Sequence, residues 1–120
     1  MNRKCSTCKE QKDLECFSRE AGRSLGHTYT CKTCSKRNAR RHILRMYGLT
    51  EETYQTLLTK QDNKCAVCLE QFKNNPHIDH NHSSGQVRGL LCTNCNRGIG
   101  LLKDNPETLQ RAATYLVMDR

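Results

Sequence analysis

Two near-identical sets of paired cysteines, a sparse apolar complement, and short strand-like runs set among helical ones predict a small α+β fold stapled by metal. The chain has 120 residues, room for one ordinary domain or two very small ones. Only 35% of the residues are hydrophobic, Trp is absent, and there are two Phe and four Tyr. Below roughly 70–80 residues an apolar core rarely supplies more than about 3–5 kcal/mol, so each half needs an added staple.

The nine cysteines are the candidates. Cys5-x2-Cys8 is followed after 22 residues by Cys31-x2-Cys34, and Cys65-x2-Cys68 after 23 residues by Cys92-x2-Cys95. Zinc takes four soft ligands in a tetrahedron, and each CxxC turn offers two thiolates toward one point. Two such turns on separate hairpins would close each site. The N-terminal run MNRKCSTCKE has no apolar signal core, and no apolar run is long enough to cross a membrane. The chain thus reads as soluble and cytoplasmic, not secreted, where paired cysteines bind metal more often than each other. Two structural zinc ions are expected, one on Cys5, Cys8, Cys31 and Cys34, the other on Cys65, Cys68, Cys92 and Cys95. Cys16 is left over and is expected to be a small buried hydrophobe beside Leu14 and Phe17. His27 reads as a surface residue.

The net charge of +8 is concentrated at one end: residues 1–48 hold twelve Lys and Arg against four acids, whereas residues 49–120 hold eight of each. A basic face on a cytoplasmic protein most often meets nucleic acid. SKRNARRHILRMYGL predicts a helix ended by Gly48. On it Lys36, Arg37, Arg40, Arg41 and Arg45 share one half and Ala39, Ile43 and Met46 the other. That cationic half suits a phosphate backbone, although an ordinary amphipathic linker with a solvated face has the same pattern.

Thr50 N-caps the next predicted helix, EETYQTLLTKQ, whose first-turn acids match the helix dipole. LEQFKNNPHIDHNHSSGQVRGLLC reads as two short strands around a turn at Ser83, Ser84 and Gly85. A helix from about Thr93 to Lys103 follows. Asn105 and Pro106 cap and open a last one, whose Leu109, Ala112, Ala113, Leu116 and Val117 form a stripe expected to face the core.

His77-Ile78-Asp79-His80-Asn81-His82 places three imidazoles and a carboxylate in six residues, between the halves of the second cysteine set. Asn96 and Arg97 directly follow that set. A zinc knot there would bring the Asp-His strand against the start of the helix and fix geometry that a weak core could not. Asp and Asn supply the oxygen that Mg²⁺ prefers, and a neutral histidine can take a proton from water.

The run CAVC…HIDHNHSSGQVRGLLCTNCNRGIGLLKDNPETLQRAATYL resembles the phage recombination endonuclease VII family, zinc-containing nucleases of the His-Me finger (ββα-metal, HNH-type) group. The resemblance covers roughly residues 48–118, with cysteine pairs, DHxH run, VRGLLC strand and CNRGIG turn in order. It implies a ββα-metal core with a catalytic divalent cation, Mg²⁺ or Mn²⁺. By the same resemblance Asp79 and Asn96 are metal ligands, His80 is the general base, and His82 contacts phosphate or orients the ligands. Arg97 or Arg88 would add a phosphate clamp.

The organisation expected is a zinc-ribbon-like module over 1–34, a basic linker helix over 35–48 and the nuclease domain over 49–120. The function expected is a metal-dependent DNA endonuclease, a phosphodiester hydrolase acting on duplex or branched DNA in the cytoplasm (the host cell's, for a phage protein). A non-catalytic zinc-ribbon regulator that binds nucleic acid is the competing reading. The resemblance does not account for the N-terminal module, and a junction-resolving dimer, which in the family uses a long helical extension, is not the expected form. A homodimer built on the basic helix stays open.

Overall fold

The computed structural model describes residues 1–118. Its elements separate into two compact units, residues 1–51 and 52–120, and each builds the same device around its cysteines.

In the first unit, β1 (Asn2–Lys4) and β2 (Gln11–Asp13) pair antiparallel and carry Cys5 and Cys8 in the turn between them. A second antiparallel pair, β3 (Phe17–Arg19) and β4 (His27–Cys31), leads into α1 (Lys32–Met46). Cys31 is the N-cap of α1, and Cys34 sits in its first turn. In the second unit, α2 (Glu51–Lys60) precedes a turn carrying Cys65 and Cys68, closed by a bridge between Lys64 and Gln71. The hairpin β5 (His77–His80) and β6 (Val87–Leu91) then leads into α3 (Thr93–Leu101), with Cys92 as N-cap and Cys95 in the helix. α4 (Pro106–Val117) closes the unit. Only the first CxxC of each set lies in a hairpin-like turn; the second straddles a strand end and a helix start. Helix geometry explains the difference, since an N-cap and the third helical residue lie within one turn of each other and their side chains can converge.

The repetition extends to single hydrogen bonds. Cys5 N–H donates to Glu10 O and Lys9 N–H to Cys5 O, as Cys65 N–H does to Glu70 O and Leu69 N–H to Cys65 O. Lys9 and Leu69 both take the left-handed conformation, at φ 66° and 64°. Ser6 N–H reaches Tyr29 O and Ala66 N–H reaches Leu90 O, so each cysteine turn is stitched to the second strand of its hairpin. Both hairpins shift register once, between Phe17 and Arg19 and between Asp79 and His80.

Burial is concentrated at the cysteines: Cys5, Cys31, Cys34 and Phe17 form one buried cluster, and Cys65, Leu90 and Leu91 are buried in the second unit. Two apolar expectations are corrected, and the apolar half of α1 is largely exposed. Cys16 is exposed, because it ends a 3-10 turn (Leu14–Cys16) and the inward position falls to Phe17. On α1 the buried apolar residue is Leu44, while Ile43 and Met46 are 50% and 71% exposed, since the helix runs on past the knot that its first turn completes. The α4 stripe is not a core face: Leu109 and Ala112 are half-buried, but Leu116 and Val117 are about 80% exposed. No described residue of α4 is buried, because the thiolate knot rather than a second layer organises this unit.

Candidate active site

The four sulfurs of each cysteine set lie within 4.8 Å of one another, and all nine cysteines are free thiols. A tetrahedron with ligands at 2.3 Å separates its sulfurs by about 3.8 Å, and Cys68 Sγ stands 3.9 Å from Cys92 Sγ. Both sets therefore fit zinc. Backbone amides prepare the thiolates: Cys31 N–H donates to Cys5 Sγ at 3.3 Å, and Cys95 N–H to Cys92 Sγ at 3.4 Å. The Cys31 amide, helped by those of Cys8 and Thr7, brings Cys5 down to about 5. Burial pushes Cys65 up, but the amides of Cys92, Cys68 and Val67 together carry it down to about 6. Lys12 Nζ, 3.3 Å from Cys31 Sγ, adds a cation to the first set.

The second knot fixes the chemistry-bearing strand. β5 lies against α3, and His77 Nε2 meets Thr93 Oγ1 in the helix's first turn at 3.1 Å. His77, assigned no part by sequence, thus ties the strand to the helix. Asp79 and His80 flank the hairpin's register shift. Asn96, half-buried, follows Cys95 on α3, and the adjacent Arg97 is exposed. The hairpin turn forms where expected: Asn81 Oδ1 accepts from Ser83 and Ser84 N–H, and Gly85 turns the chain at φ 75°. On the far strand Gln61 stands in for a neighbouring strand, its Oε1 accepting from Leu90 N–H and its Nε2 donating to Leu90 O and Lys64 O, each at 2.9 Å. Gly89 permits that approach, since a Cβ there would lie 3.1 Å from Gln61 Oε1.

Around Asp79 the charges form a chain. Arg88 grips its carboxylate with two bonds, Nε to Oδ2 at 2.7 Å and an Nη to Oδ1 at 2.9 Å, and reaches Asp104 Oδ2 at 3.1 Å. Asp79, first, and Asp104 hold the Arg88 guanidinium firmly charged. His82 Nε2 lies 3.3 Å from the same Asp104 oxygen, and its ring centroid lies 4.8 Å from that of His80. An open groove of about 530 Å³ runs beside this chain, lined in part by His82, Arg88, Lys103 and Asp104. Sequence reasoning misses Asp104; only its spacing from Arg97 and Asn105 around a helix end could have suggested it.

In the first unit Arg40 forms a two-bond ion pair with Glu51, at 2.7 and 3.1 Å. Lys36, Arg37, Arg41 and Arg45 are exposed and form no ion pair among the described residues. At the hairpin shift this unit has Arg19, and Ser35 follows Cys34 where Asn96 follows Cys95.

A β-hairpin leading into a helix on a four-thiolate knot, with Asp79 and His80 on the first strand and Asn96 on the helix, has the ββα-metal architecture. More particularly, the chain belongs to the recombination endonuclease VII family, whose model matches residues 40–118. It is similar to the Gene 59 protein of Mycobacterium phage D29, 43% identical over 77 residues, which are 62% of this chain and 47% of that protein. The Gene 59 protein of Mycobacterium phage L5 is 38% identical over 78 residues, 62% of this chain and 48% of that one. The match thus spans about half the length of these curated relatives. Among solved structures, the ββα-Me type II restriction endonuclease Hpy99I is 26% identical with a TM-score of 0.41, over 96% of this chain and 64% of that one. No described helix is long and apolar enough to cross a membrane.

Proposed function

We propose that this chain is a DNA endonuclease that hydrolyses phosphodiester bonds, with His80 as general base and Asp79 and Asn96 as protein ligands of one Mg²⁺ or Mn²⁺. The observation that carries this reading is the placement of Asp79 and His80 at the register shift of a hairpin set by a zinc knot against the helix bearing Asn96. Oxygen from a carboxylate and an amide suits a hard cation that keeps several waters. When bound, that cation would stabilise the charge developing on the phosphorane and on the leaving 3′-oxygen. His80 takes a proton from water, which then attacks phosphorus to leave 5′-phosphate and 3′-hydroxyl ends. His82 and Arg97, both exposed, serve as phosphate contacts in this reading. Lys36, Arg37, Arg41 and Arg45 supply a sequence-independent hold on the backbone, and Arg40, tied to Glu51, contributes less.

One observation favours the alternative of a non-catalytic binding module: both oxygens of Asp79 are engaged by Arg88. A cleavage assay separates the two. Supercoiled plasmid and a four-way junction are incubated with and without added Mg²⁺, using the natural sequence and His80→Ala. Cleavage that needs Mg²⁺ and is lost in the variant supports the nuclease. DNA binding by both proteins, with two zinc ions each and no cleavage, supports the binding module. The substrate cut faster distinguishes a junction-directed enzyme from a duplex nickase.

A further inference from the structure

The contact that argues against catalysis also suggests how the site is controlled. Arg88 uses both faces of its fork: Nε and one Nη hold Asp79, and the same Nη bridges to Asp104. Asp79 is 14% exposed, so little of its carboxylate stands open while that grip lasts. Asp104 is positioned at some cost. It and Lys103 are consecutive non-glycine residues in the left-handed region, at φ 52° and 58°, held there by Asp104 N–H donating to Ile99 O at the end of α3. Backbone strain of this kind persists where the surrounding structure enforces it. Its effect is to bring a second carboxylate to the same Nη that holds Asp79 Oδ1.

Resting on the reading of Asp79 as a metal ligand, we propose that Arg88 is a movable guard on that carboxylate and that Asp104 is the positioning residue that retains it. A cation and the guanidinium compete for Asp79. When Arg88 lets go, Asp104 keeps it at the groove, and the two freed N–H directions become available to a phosphate there. Entry of DNA phosphate draws the guard away and opens Asp79, so DNA and cation strengthen each other's binding, as linkage requires of any such coupling. Lys103 and His82, which also line the groove, reinforce the attraction of the phosphate.

The test is a Mn²⁺ titration of the full zinc-loaded chain without DNA, followed by calorimetry and by the electron paramagnetic resonance signal of free Mn²⁺. Arg88→Lys is the decisive variant. It keeps the positive charge but cannot grip both oxygens of Asp79 while reaching Asp104. With the guard closed most of the time, its removal tightens apparent Mn²⁺ affinity by about five-fold or more. Arg88→Gln tightens it at least as much, and Asp104→Asn, which leaves Arg88 to Asp79 alone, weakens it. Zinc content and melting temperature confirm that each variant is folded. If Arg88→Lys binds Mn²⁺ no more tightly than the natural sequence while Arg88→Gln does, net charge alone accounts for the effect and the guard is overturned. Equal affinity in all three overturns it too. Asp79→Asn in the Arg88→Lys background identifies the site: Mn²⁺ binding that does not depend on Asp79 overturns the metal-ligand reading, and the guard with it.

Discussion

Asp79, His80 and Asn96 ask different things of their neighbours. In the proposed mechanism Asp79 is released by Arg88, which holds it, His80 works beside the His82 ring, and Asn96 is carried by the helix that Cys92 and Cys95 begin. None of the three is a cysteine, so their loss spares the zinc sites. His80→Ala is expected to lower Mg²⁺-dependent plasmid cleavage by about 10²–10⁴-fold, with zinc content by atomic absorption unchanged. Gln61→Ala acts elsewhere: it leaves Leu90 N–H, Leu90 O and Lys64 O without their side-chain partner. A loss of about 1–3 kcal/mol follows for a buried group so orphaned, read as a lower melting temperature with both zinc ions retained. The sequence carries the first of these effects far better than the second. A DHxH run and an Asn after a cysteine pair are local patterns, whereas Gln61 matters only because the fold brings it to Leu90. Asp104 is hidden for the same reason, since its role depends on a left-handed turn that no residue type announces.

Elements are legible where a local rule sets their ends. The hairpin strands, the turn at Asn81–Gly85, the Asn105 cap of α4 and the Gly48 end of α1 all lie where turn and capping chemistry put them. Legibility fails where amphipathic spacing has to stand for burial. Ile43, Met46, Leu116 and Val117 repeat at helical intervals, yet remain exposed because the knots take the place of a second layer. The cationic face of α1 is a matter of the element as a whole. Changing Lys36, Arg37, Arg41 and Arg45 together to Gln removes four exposed charges while sparing the Arg40–Glu51 pair. If they lie on phosphates, the slope of log affinity against log salt becomes shallower by about 0.9 for each duplex phosphate left without its cation. An unchanged slope in fluorescence-anisotropy titrations would remove α1 from the interface.

For the whole molecule, stability is a question of metal and protons. Structural zinc in small domains contributes apparent folding energy of about 10–16 kcal/mol at neutral pH, more than either sparse core can offer. Chelation with a strong zinc ligand is expected to abolish the cooperative melt of both units in circular dichroism. Protons compete with the metal in a defined direction. Cys5 and Cys65, drawn down to about 5 and 6, favour the thiolate in the fold, so their contribution is complete above the ordinary thiol value of 9.0 and is lost as pH falls through 6 and then 5. Cys34 is pushed up to about 12 by the Cys31 side chain, and Cys95 to about 12 by burial and then by Cys92. Each therefore gives up a proton when zinc binds. Zinc affinity should weaken from pH 8 to pH 6 in competition with a chromophoric chelator; a pH-independent affinity would contradict four-thiolate ligation.

The repeated stitch from each cysteine turn to its hairpin bears on the lifetime of the folded state. The amides of Cys5, Cys31 and Cys65 are bonded to groups that hold position only while the four sulfurs converge. In hydrogen exchange these amides form two slow islands in an otherwise fast-exchanging chain, and each island opens as a unit. Their clock is the departure of zinc rather than the rupture of an apolar core. The protein ages at the pace of its metal off-rate, and a chelator shortens its life without touching Asp79, His80 or Asn96.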